Sequence, residues 1–537
     1  MKKILWIFCI VSLVLTACGS SVDEESYAVS EGNRPEKLIV FISGYPHSFQ
    51  NQDVSFDLFP SKATVGMKLV HGEVEAFDNN VFAQALQDYE KESGIPIEIH
   101  YIEDSNESIE DFLEKGEGPD MMILGKDLWY DYYRLAERDI LLDFSAYMRS
   151  DEALSSDDLY YQKVIQGGDL LDGQFLLPIL FNVNAFISTN SFMQQIGMEG
   201  LGYSDLTYED VLFLFTRASE MLQTDKEKES LYERSGYTQD GLYLASILSA
   251  AAYPSYFDNH NQNLLLSAEN VADVLDVMEA FYEQEFVEDY NWEQKTFDEN
   301  LVNFVQQPKT LDLWEMEEYV ENSLGIFLSG GRGGGWNWHN SLLSDAMYFH
   351  SAYMEEEEGM ILCGIPTLTS PNTYAANITD MVVGFQDTKY PEAVYDLARY
   401  LMDYQFPFYY GFSINREITA QQMEEVQTTE LALFSGPLFE MLTTDQISLK
   451  DAEIRREFIH PLDSESVQTI ENILNHIEGA GVPYYIVESA VYSEAIKAVF
   501  NGEMTSQEAA EHLITSLNEY MRNQKEMGVF ERFWIYS

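Results

Sequence analysis

Residues 82–99 are FAQALQDYEKESGIPIEI, and this stretch decides the fold. Apolar residues of its first half recur at the spacing of one helical face: Phe82, Ala85, Leu86 and Tyr89. This spacing predicts a helix from Val81 to Glu92, which Ser93-Gly94 ends. The Ile95–Ile99 segment that follows predicts a strand. A helix joined to a strand by a short turn is the repeating unit of a parallel α/β sheet.

The same alternation continues on both sides of this stretch. The predicted strands are Leu38–Ile42, Met121–Leu124, Ile140–Phe144, Leu176–Ser188, Ile326–Leu328 and Met381–Phe385. The predicted helices are Asp111–Lys115, Tyr130–Arg138, Tyr208–Leu222, Leu242–Ala252, Glu392–Tyr404, Glu488–Phe500 and Ser506–Met521. Strands that alternate with helices indicate an α/β fold with mainly parallel sheets.

The length of 537 residues indicates more than one core. A single core stops growing near about 250–300 residues, so we expect two lobes. Strand-and-helix stretches lie near both ends of the chain, around a long middle, so the chain should leave the first lobe and later return to it. Hydrophobic residues make up 46% of the chain and aromatic residues 14%, which excludes a disordered protein.

The chain is strongly acidic, with 30 Lys and Arg against 91 Asp and Glu and a net charge of −61. Such a surface repels nucleic acid and anionic lipid, so neither is an expected partner. A solvated, self-repelling surface is the favoured interpretation, and a calcium-loaded protein is the alternative. Residues 258–263 carry several oxygen ligands but lack the glycine and closing glutamate of an EF-hand loop. No metal or other cofactor is therefore predicted.

The first residues resemble a bacterial export signal. Lys2 and Lys3 precede an apolar run from Ile4 to Leu15, which is too short to span a bilayer. The run ends in Leu15-Thr16-Ala17-Cys18-Gly19, which resembles a lipobox and implies cleavage before Cys18 and a lipid on its sulfur. An ordinary signal with an incidental cysteine is the alternative. Only Cys363 would then remain in the folded part, so no intramolecular disulfide is expected.

Several later segments, in their order, resemble the family 1 extracellular solute-binding proteins, which include maltose-binding protein. The similar segments are residues 82–99, GEGPDMMIL (116–124), LAERDILLDF (135–144), GQFLLPILFNVNAFISTN (173–190), Gly364-Ile365-Pro366, YPEAVYDLARYL (390–401), Gly411–Arg416 and residues 500–520. This chain is longer than most members, and it lacks a clear family-like first strand and ligand loop directly before Phe82.

The resemblance implies a two-lobed periplasmic-binding-protein-like fold of type II. Each lobe would be a mainly parallel sheet flanked by helices, with hinge strands between the lobes. The expected divisions are a signal peptide (1–17), a lipidated tether (18–36), an N-terminal lobe (37–178 plus 367–412) and a C-terminal lobe (179–366 plus 413–537). A monomer, anchored by its lipid on the outer face of the cytoplasmic membrane, would deliver its ligand to the permease subunits of an ABC importer.

The resemblance also indicates which loops face the ligand, for which a carbohydrate is favoured over a peptide or another solute. Sugars bind aromatic rings through their C–H faces and planar polar side chains through their hydroxyls. The candidate ligand-binding residues are Lys126, Asp127, Trp129, Asn182, Tyr253, Tyr256, Arg332, Trp336 and Trp338. Trp129, Tyr253 and Tyr256 could instead belong to the core, and Arg332 could pair with one of the many carboxylates.

An enzyme is disfavoured because the chain has no Gly-x-Ser-x-Gly elbow, no His-Glu-x-x-His and no cysteine pairs for zinc. Carboxylates are too abundant for any pair of them to identify a glycosidase. Gly330–Gly335 has the glycines of a dinucleotide loop but not the helix and acidic residue that should follow. A surface adhesion protein without a cleft is the remaining alternative.

Overall fold

A computed structural model describes residues 34–43, 65–70, 73–78, 81–102, 118–125, 132–189, 206–224, 257–258, 263–264, 267–282, 326–328, 360–367, 371–406, 411–425, 462, 464–481 and 501–523, with a few single residues between them. The strands are β1 Leu38–Ser43, β2 Val65–Val70, β3 Glu73–Asp78, β4 Ile97–Ile102, β5 Met121–Gly125, β6 Asp169–Leu170, β7 Gly173–Gln174, β8 Leu176–Val183, β9 Ala185–Thr189, β10 Phe257–Asp258, β11 Asn263–Leu264, β12 Ile326–Leu328, β13 Met360–Gly364, β14 Tyr374–Gly384, β15 Phe412–Ser413 and β16 Ile477–Gly481. The helices are α1 Val81–Ser93, α2 Tyr132–Glu137, α3 Ser145–Met148, α4 Gln162–Gln166, α5 Tyr208–Thr224, α6 Ala268–Tyr282, α7 Pro391–Met402, α8 Arg416–Glu425, α9 Ser464–Asn475 and α10 Ser506–Asn523.

Seven strands form the large sheet, in the order β15-β8-β14-β5-β1-β4, with β16 paired to β14. The strands β4 and β5 pair with β1 in parallel, as the βα alternation predicts. The long strand β14 is antiparallel to both β5 and β8. Consequently β1, β4, β5 and β8 all run in one direction, and the strands added later in the chain run in the other.

Helices α1 and α7 cover this sheet and contact each other. Two ring pairs join them and the turn after α7: Tyr89 lies 5.2 Å from Tyr400, and Phe82 lies 5.1 Å from Phe406, between ring centroids. All four rings are buried. Burying one large apolar side chain stabilises a fold by about 1.5–3 kcal/mol, so this contact fixes both helices on the sheet.

The side chain of Asp120, directly before β5, has a structural role in the large sheet. One oxygen of its carboxylate accepts a hydrogen bond from the backbone N–H of Ile39 in β1 (2.8 Å), and the other accepts one from the hydroxyl of Thr388 (2.6 Å). Thr388 lies just after β14, so a single side chain ties three parts of the sheet together. These contacts are at the edge where β5 begins, away from the carboxyl ends of the parallel strands.

A second, smaller sheet has the order β12-β9-β13. Both pairings are antiparallel, so the parallel arrangement predicted for this lobe is wrong for the strands that the structure describes. The reason is the path of the chain. After β8 the chain leaves the large sheet and forms β9 of the small sheet, and after β13 it returns to the large sheet as β14. Helix α6 packs against α5 and α10 in the same later part of the chain.

Three predicted element boundaries need correction. The predicted strand Ile140–Phe144 is a single bridge between Leu141 and Phe385, because the carboxylate of Asp143 accepts a hydrogen bond from the N–H of Ser145 and turns the chain into α3. The strand predicted to begin at Met381 begins at Tyr374. The strand predicted at Ile95–Ile99 lies at Ile97–Ile102. The predicted helices Asp111–Lys115 and Leu242–Ala252 lie outside the described residues.

Candidate functional site

The carboxyl ends of β1, β4, β5 and β8 share one edge of the large sheet, because these four strands run in the same direction. Open α/β sheets bind ligands at this edge. Gly125 ends β5 there, directly before the candidates Lys126, Asp127 and Trp129. The candidate Asn182 lies near the end of β8. The topology therefore brings Asn182 and Gly125, the residue directly before the other candidates, to one edge, on strands that share β14 as a neighbour.

Asn182 is 1% exposed and lies opposite Asn377 of β14. Its side-chain oxygen accepts a hydrogen bond from the N–H of Val183 (3.1 Å). Asn377 is also buried, and its amide nitrogen donates to the side-chain oxygen of Asn184 (3.1 Å). Buried amides are costly unless they are hydrogen-bonded, so these contacts order the ends of β8 and β14. A direct contact between Asn182 and a ligand stays a prediction.

Asp380 brings a carboxylate to the same edge. It is opposite Gly125 on one side and Leu180 on the other, and it has no solvent exposure. Neighbouring strands lie about 4.8 Å apart, so Gly125 and Leu180 are separated by about 10 Å across β14. The electrostatic interactions of a fully buried carboxyl group are strong, because the surrounding dielectric constant is low. Asp380 therefore lies beside Gly125, which directly precedes the candidates Lys126, Asp127 and Trp129 in the sequence.

Sequence reasoning missed Asn184, Asn377 and Asp380. The strand β14 is buried along all eleven of its residues, yet its centre is the polar run Asn377-Ile378-Thr379-Asp380. Periodicity counts apolar residues, so it predicts a strand only from Met381 onward. The signal in the sequence that could have found them is the polar run joined directly to the apolar Met381–Gly384. Polar residues that break the pattern of a buried strand often mark a functional site.

The chain passes between the two sheets at this edge. Asn184 separates β8 of the large sheet from β9 of the small sheet, and Ile365 follows β13 on the way back to β14. The backbone N–H of Ile365 donates to the backbone oxygen of Asn184 (2.9 Å). The two crossings are thus directly hydrogen-bonded, next to the buried amides. This arrangement corresponds to the hinge strands that the sequence resemblance implies.

The other candidate ligand residues lie outside the described residues, and their role in binding stays a prediction. They are Lys126, Asp127, Trp129, Tyr253, Tyr256, Arg332, Trp336 and Trp338, and the same holds for the predicted lipid attachment at Cys18. The lobe boundaries also stay a prediction. The large sheet contains β16, whose residues 477–481 fall in the stretch predicted to form the C-terminal lobe.

Within the described part of the chain, no three His, Cys, Asp or Glu side chains come together as a metal site. Cys363 lies in β13 and is fully buried, and its burial raises the pKa of the thiol well above its ordinary value. A thiol that is neutral and inaccessible does not act as a nucleophile. None of the described helices is both long and apolar enough to cross a bilayer.

The chain is similar to known proteins in sequence and in structure. A sequence model described as "Bacterial extracellular solute-binding protein" matches residues 72–404. Similar solved structures include an oligogalacturonide-binding protein of Yersinia enterocolitica (14% identity, 91% of this chain and 100% of that chain, TM-score 0.49) and a family 1 solute-binding protein of Alicyclobacillus acidocaldarius (13%, 91% and 98%, 0.47). Another is an ABC substrate-binding protein of Listeria monocytogenes in complex with cycloalternan (11%, 90% and 99%, 0.43). No curated protein matched the sequence.

The match to the family extends from β3 to the residues just after α7. It includes β5, β8 and β14 and both crossings between the sheets, so it covers every described element of the candidate site. It also extends over more than half of the 537 residues. The predicted two-lobed α/β fold class is confirmed. The chain belongs to the bacterial extracellular solute-binding proteins.

Proposed function

We propose that this protein captures a carbohydrate, specifically an oligosaccharide, in a cleft between its lobes and delivers it to an ABC importer. The observation that carries the proposal is the convergence of planar polar groups at the carboxyl edge of the large sheet. Asn182, Asn377 and Asp380 lie there on adjacent strands, beside Gly125, which directly precedes Lys126–Trp129 in the sequence. No covalent chemistry is needed for this role, so the protein acts as a binding protein and not as an enzyme.

The chemistry of this edge suits a sugar better than an apolar solute. Amides and carboxylates offer the in-plane donors and acceptors that ring hydroxyls require, and tryptophan supplies an apolar face. Because Asn182 and Asn377 are buried and already hydrogen-bonded, they hold the strand ends in place. Beside the predicted contact of Asn182, we expect direct contact with the ligand from Asp127, Trp129, Trp336 and Trp338.

Thermal unfolding of the full chain against mono- and oligosaccharides, short peptides and calcium tests the ligand class. A ligand that binds the folded state alone, at 100 times its Kd, adds about 2.7 kcal/mol of stability. A raised unfolding midpoint with one class of glycan is the expected result. Trp336→Ala should abolish that rise, whereas Trp314→Ala, outside the candidate loops, should leave it intact. A rise with peptides alone would overturn the carbohydrate, and no rise with any compound would favour a surface-interaction role.

The lipid anchor is a second part of the proposal, and it rests on Leu15–Gly19. Metabolic labelling with palmitate in a bacterial host should label the wild-type chain and keep it in the membrane fraction. Cys18→Ser should lose both the label and the membrane association. The matched control is Cys9→Ser, which changes a cysteine inside the signal and should remain labelled. Labelling of the Cys18→Ser variant would refute the attachment site.

Delivery to an importer requires that the binding protein contact the permease subunits. We expect this protein to do so as a monomer. Ligand-dependent cross-linking to a pair of permease proteins, encoded beside this gene, is the expected result. Adjacent permease genes that never cross-link to the chain, with or without its ligand, would favour an adhesion role.

A further inference from the structure

Within the part of the chain that the structure describes, three crossings join the large sheet to the elements of the small sheet. The first is Asn184, between β8 and β9. The second lies between β13 and β14, and its described residues are 365–367 and 371–373. The third is His476, because α9 packs against β13 of the small sheet and continues into β16 of the large one. Any rotation of one lobe against the other must pass through the backbone at these crossings.

The second crossing is bonded to the other two. Ile365 N–H donates to the backbone oxygen of Asn184 (2.9 Å), and Tyr374 N–H donates to the backbone oxygen of His476 (3.0 Å). The second crossing is also bonded across itself, because Thr367 N–H donates to the oxygen of Thr373 (2.7 Å) and their hydroxyl oxygens lie 2.6 Å apart. The three crossings therefore form one hydrogen-bonded group.

Asn372 lies inside this group in an unusual backbone conformation, with a φ of 58°. Its side-chain oxygen accepts two hydrogen bonds, one from the hydroxyl of Tyr374 (3.2 Å) and one from the amide of Asn472 on α9 (3.0 Å). Left-handed φ values are rare outside glycine, and asparagine tolerates them better than most residues do. Asp139 and Leu171 are the other non-glycine residues with positive φ in the described ranges, and neither lies in a crossing.

We propose that Asn372 is a positioning residue that sets the angle between the two lobes. Its backbone fixes the direction in which the second crossing enters β14. Its amide oxygen binds that crossing to α9, so the second and third crossings turn together and not independently. This inference concerns the movement of the lobes and does not depend on the identity of the ligand.

The test is the distance between the lobes in solution, measured by pulsed electron paramagnetic resonance on the full chain in detergent. Spin labels on non-canonical amino acids would replace Gln87 on α1 and Gln468 on α9, which are both exposed, because α9 packs against β13 of the small sheet. Asn372→Asp keeps the acceptor and tolerates the backbone, so its distance distribution should match that of the parent. Asn372→Gly keeps the backbone but loses both hydrogen bonds, and its distribution should broaden. Asn372→Ala loses both features and should broaden it most.

Asp139→Ala is the matched control. Asp139 has a φ of 55° but lies between α2 and the Leu141 bridge, within the large-sheet lobe. This variant should lower the unfolding midpoint without changing the distance distribution. If Asn372→Ala fails to fold, Asn372→Gly decides the question. A parent-like distribution in folded Asn372→Gly would overturn the proposal, as would equal broadening in Asp139→Ala, and the carbohydrate proposal would be unaffected by either result.

Discussion

Replacing Arg399 by methionine should lower the free energy of unfolding by about 2–4 kcal/mol. The guanidinium lies on α7 and is mostly buried, with 9% of the residue exposed. Its Nε donates to Asp151 (2.7 Å), one Nη donates to Asp403 (3.0 Å), and the other donates to the hydroxyl of Tyr160 (3.0 Å). Asp151 and Tyr160 are more than 230 residues away in sequence, so this one side chain joins distant parts of the chain.

The magnitude follows from what the variant leaves behind. Hydrogen bonds to charged groups contribute about 1.5–3 kcal/mol each, and breaking a fully buried ion pair costs about 3–5 kcal/mol. The side chains of Asp151 and Asp403 are 21% and 24% exposed, so water can partly replace the lost guanidinium. Methionine retains most of the packing of the arginine stem. The expected loss therefore lies around the lower end of the range for a buried pair.

Urea unfolding at pH 7 measures this loss as a lower midpoint with an unchanged slope. Arg399→Lys keeps the charge but not the forked geometry, so it should lose less than Arg399→Met. Arg149→Met is the matched control, because Arg149 is exposed and its replacement should change stability by about 0.5 kcal/mol or less. An Arg399→Met variant as stable as this control would refute the reasoning.

Three further predictions concern the same lobe. Burial opposes ionisation of Asp151, but the charge and hydrogen bond of Arg399 hold its pKa below the ordinary value. The stabilisation by Arg399 is therefore present above about pH 4 and is lost as the pH falls through the lowered pKa. The difference in the free energy of unfolding between wild type and Arg399→Met should consequently shrink at about pH 3. Asp120→Ala should cost about 2–4 kcal/mol in urea unfolding because two hydrogen bonds to a carboxylate are lost, and a change below 1 kcal/mol would contradict this. Gly411→Ala should lower the free energy of unfolding by about 1–3 kcal/mol, because the φ of Gly411 is 135° and a Cβ would lie 2.8 Å from the backbone oxygen of Phe181. An unchanged melting temperature would exclude this strain.

The sequence predicted the βα part of the large sheet well because its elements are locally determined. The helix α1 and the strands β1 and β5 differ from their predicted bounds by one residue or less at each end. Each is an apolar segment whose burial follows from its own periodicity, with glycine or polar residues at its ends. The chain order of these segments was also sufficient to predict the family, which the match to residues 72–404 confirms.

The polar interior was not predictable in the same way. Asn377 and Asp380 are buried because β8 and β5 lie on either side of β14, and no local pattern indicates which strands will be neighbours. Asp151 and Arg399 likewise meet across 248 residues of sequence. Of the candidate ligand residues, the structure describes Asn182, which lies near the end of β8, and its contact with a ligand stays a prediction. The position of Asn182 follows from the topology of the sheet and not from the secondary-structure propensity of asparagine.

The charge of the chain leads to a final prediction, that salt should stabilise this protein. With 91 acidic and 30 basic residues, exposed carboxylates mostly repel one another, and folding brings them closer together. The Debye length falls from about 10 Å at 0.1 M to about 3 Å at 1 M ionic strength, so sodium chloride should weaken this repulsion and raise the melting temperature. The Arg399 contacts are mostly buried and should be screened less, so the Arg399→Met variant should gain as much from salt as wild type does. A melting temperature that falls with salt would show that attractive surface pairs, and not repulsion, dominate the electrostatics of the fold.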